Sequence, residues 1–154
     1  MVGRRRMREE PVMQGTVLLC DDEVHVVRTI GVKLQRAGYA VITAADGEEA
    51  WDLICRERPG LLITDLFMPR MDGLQLCQRM RDTASTREVP IFLITGRGLE
   101  FSHAELVDKW NVLDIISKPF SPRDVVCRVN RVLGIRPEVS SRSGLQGACA
   151  LRSD

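Results

Sequence analysis

Apolar residues along this chain alternate between two rhythms. Short, nearly continuous apolar runs occur at Thr16–Cys20, Tyr39–Ala44, Leu61–Asp65, Ile91–Thr95 and Val112–Ser117. They have the length and β-rich content of strands covered on both faces. Between them, apolar residues recur at helical spacing. Val24, Val27, Ile30, Leu34 and Ala37 form one such face, which Gly38 stops as a glycine just past a helix end. Asp46 is placed to N-cap a second helix, with Glu48 and Glu49 in its first turn and Pro59 beyond its end. The turn formers from Met68 to Gly73 lead to a third helix with Leu76, Cys77 and Met80 inward. A weaker helix runs from about Ser102 to Lys109, and Asn111 can take a left-handed cap. Ser121, Pro122 and Asp124 give a fifth helix a capping-box-like start, and Val125, Val126, Val129, Val132 and Leu133 give it an apolar face.

Five strand–helix units imply a doubly wound parallel sheet with helices on both faces, an α/β fold in three layers. The periodic part spans residues 15–134. Residues 1–14 are Arg-rich, and 135–154 are rich in Ser, Gly and Arg, so both ends read as flexible tails. The chain reads as a stand-alone domain or as a fragment of a longer protein. Its 154 residues suit one core, and 44% hydrophobic residues exclude a disordered chain. A net charge of +1, from 22 basic and 21 acidic residues, argues against a dedicated nucleic-acid surface. The run of Arg4, Arg5, Arg6 and Arg8 reads as solvated. Five cysteines, without a CxxC pair, suit a reducing compartment, and Cys20, Cys55, Cys77 and Cys127 sit among apolar neighbours as small core residues. No apolar run nears the roughly 20 residues that span a bilayer. The arginine run is followed by Glu9, Glu10 and Pro11 instead of an apolar segment, so no signal peptide is read, and a cytoplasmic location is expected.

The polar residues carry the chemistry. Asp21 and Asp22 follow the first strand, Asp65 ends the third, Thr95 ends the fourth, and Lys118 follows the fifth. In a parallel sheet these groups meet at the carboxyl edge, where doubly wound sheets bind ligands. Three carboxylates packed together need a cation, and hard oxygen donors suit Mg²⁺. A carboxylate can attack phosphorus and form an acyl phosphate. A lysine supplies a point charge for one phosphoryl oxygen, and a threonine hydroxyl can donate to another.

The runs Leu18-Leu19-Cys20-Asp21-Asp22-Glu23, Thr64 to Gly73 (TDLFMPRMDG), Leu93-Ile94-Thr95-Gly96 and Ser117-Lys118-Pro119-Phe120 resemble the response-regulator receiver family of two-component signalling. The resemblance covers about Gly15 to Gly134, with four motifs in order, each at a strand end. It implies a flavodoxin-like sheet of order 2-1-3-4-5. It implies Mg²⁺ held by Asp21, Asp22, Asp65 and the backbone carbonyl of Phe67. It implies phosphoryl transfer to Asp65 from a sensor histidine kinase or a histidine phosphotransfer protein, with Thr95 and Lys118 reading the phosphorylated state. A cis Lys118–Pro119 bond is common in the family. A downstream protein effector is implied as partner, with a weak homodimer through the fourth helix, fifth strand and fifth helix; neither nucleic acid nor membrane is expected as a partner of this chain. Such a domain is a signalling phosphoacceptor and not an enzyme.

One position departs from the pattern. Three residues before the lysine the family has Tyr or Phe, and here stands Ile115, which is stiff at χ1 and has no ring to rotate. A smaller rearrangement, centred on residues 96–101, is expected on phosphorylation. Phe67 and Arg97 flank the site and, in the family, tune the loss of the phosphoryl group. Other residues have plainer readings. Asp72-Gly73 is a turn and helix start, His25 and His103 lack visible partners, and Trp51 and Trp110 are packing residues. A haloacid-dehalogenase-type phosphohydrolase would need a second aspartate two residues after Asp65, where Phe67 stands. A pseudo-receiver that binds partners without phosphorylation is the remaining alternative.

Overall fold

The computed structural model describes residues 13–96 and 102–134. Its strands are β1 (Met13–Cys20), β2 (Ala40–Ala44), β3 (Pro59–Asp65), β4 (Ile91–Thr95) and β5 (Asp114–Ser117). Its helices are α1 (Val24–Arg36), α2 (Gly47–Glu57), α3 (Gly73–Asp82), α4 (His103–Trp110) and α5 (Pro122–Leu133). The strands form one parallel sheet in the order β2-β1-β3-β4-β5. The doubly wound α/β fold and the strand order expected above are therefore observed.

Side chains alternate across the sheet with period two. Leu18, Cys20, Leu62, Ile91, Leu93 and Ile115 pack with residues of α2, α3 and α4 on one face. Their neighbours Val17, Leu19, Leu61, Ile63, Phe92, Ile94 and Ile116 pack with α1 and α5 on the other. Burying the strands on both faces explains why they read as continuous apolar runs. Each fully buried Leu or Ile contributes about 1.5–3 kcal/mol.

Most local signals act as read. Asp46 accepts from the Glu48 and Glu49 amides at 2.9 Å each. Ser102 caps α4 in a capping box with Glu105, and Asp72 caps α3 in another with Gln75. Asn111 ends α4 with φ 55°, and Gly38 has φ 103° after α1. Three readings change. β1 begins at Met13, two residues inside the span read as tail, and its ladder to β3 reaches Pro59, which opens that strand. A proline is tolerated there because the first residue of a strand can spare its amide. Ser121 makes no side-chain cap: the Asp124 amide donates to the Ser121 carbonyl at 2.9 Å, and the Asp124 carboxylate accepts from Arg128 at 3.0 Å. Cys55 is exposed on the outer side of α2, whereas Cys20 and Cys77 are buried. Residues 1–12, Arg97 to Phe101 and 135–154 lie outside the described residues.

Two glycines fix how the loop after β3 sits. A Cβ on Gly47, at the start of α2, would lie 2.2 Å from the Met71 carbonyl oxygen, and one on Gly73 would lie 2.4 Å from the Asp65 carbonyl oxygen. The opposing atoms are backbone, which cannot rotate away. Gly47→Ala should lower stability by about 1–3 kcal/mol from overpacking, exceeding the ~1 kcal/mol that alanine offers a helix. Urea unfolding measures this; an unchanged or higher midpoint would show that the loop yields.

Candidate functional site

The register of the sheet decides which polar side chains converge. Cys20 lies opposite Thr64, so Asp21 and Asp65 emerge at the same level from adjacent strands. Asp65 lies opposite Ile94, which puts Thr95 one residue beyond it. Thr95 lies opposite Ser117, and Lys118 follows. The Lys118 amide donates to the Thr95 carbonyl at 2.8 Å, which continues the ladder past the end of β5. The Lys118–Pro119 peptide bond is cis.

Asp21, Asp22 and Asp65 each present a carboxylate oxygen within 4.8 Å of the others. Asp21 and Asp65 are buried and Asp22 is exposed. Lys118 Nζ stands 3.3 Å from Asp65 Oδ1 and 3.8 Å from Asp21 Oδ2. The second distance is within ion-pair range but too long for a hydrogen bond, and Asp21 Oδ2 has no hydrogen-bond partner. Asp21 Oδ1 accepts from the Glu23 amide at 2.9 Å.

Burial pushes the Asp65 carboxyl up from the ordinary 3.8 to about 6; Asp21 adds to the rise, and Lys118 opposes it. Burial also raises Asp21, against the Glu23 amide and Lys118. Burial by itself would lower Lys118, but Asp65, Asp21 and hydrogen bonds to Glu23 and Asp65 outweigh it and hold the ammonium above its ordinary value. Burial leads the rise of both carboxyls, and the neighbouring carboxylates hold Lys118 up against its own burial. An orphaned buried oxygen beside two further carboxylates is a hard, oxygen-only donor set of the kind that takes a small divalent cation.

Thr95 is buried at the end of β4. Phe67 projects from the loop after Asp65 and is 61% exposed. Ile115 is buried in the core face shared with Leu93 and Leu106. His25 and His103 are exposed, and neither belongs to the carboxylate cluster. Trp51 is half-buried with the Arg79 guanidinium 4.6 Å from its ring centroid, and Trp110 is buried. Arg97 and residues 98–101, where the rearrangement was expected to centre, lie outside the described residues.

Two contributors escaped the sequence reading. Glu23 Oε1 lies 3.2 Å from Lys118 Nζ; its only sequence signal is its place directly after the acidic pair. Arg70 holds the loop after Asp65 to α2, donating from Nη2 and Nε to Asp46 Oδ2 at 2.7 and 3.2 Å. Arg70 has φ 66°, a strained conformation for a residue with a Cβ, and nothing local in the sequence predicts it.

Residues 17–130 match the family of the response regulator receiver domain. The chain belongs to this family. It is 37% identical over 131 residues to the alkaline phosphatase synthesis transcriptional regulatory protein PhoP of Bacillus subtilis, covering 85% of this chain and 53% of that protein. Among solved structures it is similar to the receiver domain of AraT, a response regulator from Geobacillus stearothermophilus (35% identity, TM-score 0.66, 79% of this chain and 97% of that one). The chemotaxis protein CheY4 of Vibrio cholerae is a second neighbour (28% identity, TM-score 0.69, 77% of this chain and 98% of that one). The receiver described here spans about half the length of the curated relatives it matches. As a response-regulator receiver of two-component systems it is a signalling protein. Among the described residues, no helix is long and apolar enough to cross a membrane.

The buried Asp65 charge has a measurable cost. Its folded pKa lies above the ordinary value, so the folded state binds the proton more tightly, and stability falls as pH rises from about 4 through about 6. Asp65→Asn removes the charge. In metal-free buffer at pH 7 the variant should be about 1–2 kcal/mol more stable, and the gain should fade as the pH is lowered toward 4. Denaturant titrations at both pH values test this, and equal or lower stability of the variant at pH 7 would contradict it.

Proposed function

We propose that Asp65 is the phosphoacceptor of this receiver, taking a phosphoryl group from a phosphohistidine on a sensor histidine kinase or a histidine phosphotransfer protein. The observation that carries the reading is the buried Asp65 carboxylate at a strand end, 3.3 Å from Lys118 Nζ and grouped with Asp21 and Asp22. In the transfer a carboxylate oxygen of Asp65 forms a bond to phosphorus as the P–N bond of the donor breaks. The bonding pair leaves with the donor imidazole, which stays neutral if its other nitrogen keeps the proton. Lys118 balances one phosphoryl oxygen, and the Thr95 hydroxyl donates to another. Both then report the phosphorylated state, Lys118 by its ion pair and Thr95 by moving toward the new group.

The donor set fits Mg²⁺, with Asp21, Asp22, Asp65 and the Phe67 carbonyl as the residues that would hold it. Bound there, the ion would neutralise charge shared by the carboxylates and the incoming phosphoryl group. The residues of the chain supply the rest. Asp21 and Asp22 keep the pocket anionic and metal-selective, and the apolar strands behind Asp65 exclude water. Phe67 stands two residues after the nucleophile with its ring exposed, a bulky group available to shield the acyl phosphate.

In this reading the domain is a switch and not a turnover enzyme, it works in the cytoplasm, and its output is a downstream protein effector. The face formed by α4, β5 and α5 is the surface for that effector or for a weak homodimer. Val107 and Leu113 are exposed there. Ile115 sits buried without a ring to rotate, so the rearrangement of this face should be smaller than in receivers with Tyr at that position. Neither nucleic acid nor membrane is a partner of the receiver itself, and transcriptional control of the kind named for its relatives would belong to sequence beyond the matched half.

Incubation with acetyl phosphate and Mg²⁺, followed by intact-mass measurement, tests the assignment. The wild-type protein should gain one phosphoryl group, and Asp65→Asn should gain none while keeping its fold by circular dichroism. Omitting Mg²⁺ should slow the gain at least tenfold, as expected when several kcal/mol of charge stabilisation are lost. Phosphorylation of the Asn variant, or none of the wild type, would overturn the reading.

A further inference from the structure

The amino end of α1 is built in an unusual way. Short polar residues favour the N-cap because their oxygen reaches the amides of the first turn. Here the N-cap is Glu23, which makes no side-chain cap, and the first turn of α1 contains no acidic residue. Its backbone is fixed all the same: the amide donates to Asp21 Oδ1 at 2.9 Å, and the carbonyl accepts from Val26 and Val27 at 3.1 and 3.3 Å. The side chain, half exposed, turns away from the helix and accepts from Lys118 Nζ at 3.2 Å.

Lys118 is thereby shared among three carboxylates: Glu23 at 3.2 Å, Asp65 at 3.3 Å and Asp21 at 3.8 Å. Asp21 and Asp65 are buried, and each stands among the residues grouped for a divalent cation. Glu23 is outside that group. Its side chain is half exposed, on the solvent side of Lys118, which the two buried carboxylates approach from within. A phosphoryl group is itself dianionic, so it competes with Glu23 for the same ammonium and meets the glutamate charge as it approaches.

We propose that Glu23 is a rate-setting, positioning residue for phosphorylation of this receiver. It holds Lys118 in the unphosphorylated state and releases it only when a phosphoryl group arrives. The proposal rests on the reading of Asp65 as phosphoacceptor. Glu23 touches no reacting atom and acts through Lys118. Its effect should therefore appear in how fast phosphoryl groups are gained, depend on ionic strength, and vanish when Lys118 is absent.

The experiment compares phosphorylation by acetyl phosphate, at saturating Mg²⁺, for wild type, Glu23→Gln, Lys118→Met and the double variant. Intact-mass time courses are recorded at low and high salt. Thermal unfolding with and without Mg²⁺ shows whether folding and metal affinity are retained. Glu23→Gln keeps the shape and the weak N-cap but removes the charge. It should be phosphorylated about two- to fivefold faster than wild type, the range set by one partly exposed ion pair. The gain should shrink at high salt, and the same substitution should change the Lys118→Met rate by much less. Equal rates of wild type and Glu23→Gln would overturn the proposal while leaving Asp65 as phosphoacceptor intact. So would a gain that persists undiminished in the Lys118→Met background, which would mean that Glu23 acts by bulk repulsion alone. No phosphoryl gain in the wild type would overturn the functional reading and this inference with it.

Discussion

Two carboxylates at the same level of adjacent parallel strands, with one ammonium between them, set the terms for the rest of this molecule. Asp21 and Asp65 are side by side because β1 and β3 are neighbours in register and both end where the polar residues begin. A parallel sheet gives no freedom to separate them, since every strand delivers its terminus to the same edge. Lys118 offsets part of the repulsion and leaves Asp21 Oδ2 without a hydrogen bond. The site is therefore held ready for added positive charge, and the energy that keeps it closed comes from apolar packing on both faces of the sheet.

The loops at the carboxyl edge are fixed by contacts that allow little adjustment. Gly47 lets the Met71 carbonyl come within reach of α2, and Gly73 lets α3 start against the Asp65 carbonyl. Arg70 accepts a left-handed backbone to reach Asp46, which also caps α2. Cys20 adds a contact from β1, with its Sγ 3.2 Å from Met68 Sδ and 3.4 Å from the Asp46 carbonyl. Burial pushes that thiol up to about 12, so it serves as packing and not as a nucleophile. The far end of the sheet is tied in another way. The Arg81 guanidinium donates to the carbonyls of Arg87, Val89, Trp110 and Asn111, joining the end of α3 to the ends of the neighbouring loops. Two of those carbonyls belong to the C-terminus of α4, where orphan acceptors and the helix dipole favour a cation.

Membership of the receiver family accounts for the fold, and Ile115 anchors β5 within it. It packs into the core face with Leu93 and Leu106, and its carbonyl accepts from Arg128 at 3.3 Å. Arg128 is held in turn by Asp114 and Asp124 at 3.0 Å each. This ties β5 to α5 through the backbone at Ile115.

Much of this was legible in the sequence by itself. The continuous apolar runs announced buried strands, the caps at Asp46 and Asn111 and the helix starts at Asp72 and Ser102 marked helix ends, and polar residues at successive strand ends pointed to one cluster. Those signals are local, or follow from the rule that parallel strands share a direction, so they survive without coordinates. The tertiary structure decided the rest. Which carboxylate oxygen lacks a hydrogen bond, that Glu23 turns from its helix toward Lys118, that Arg70 reaches Asp46, and that Cys55 faces solvent all depend on residues far apart in the chain. Ser121 shows the same limit: its start signal was present, but its side chain makes no cap and the Asp124 carboxylate pairs with Arg128. A side chain with several possible partners is assigned by distance and burial, and those are fixed only when the layers have packed.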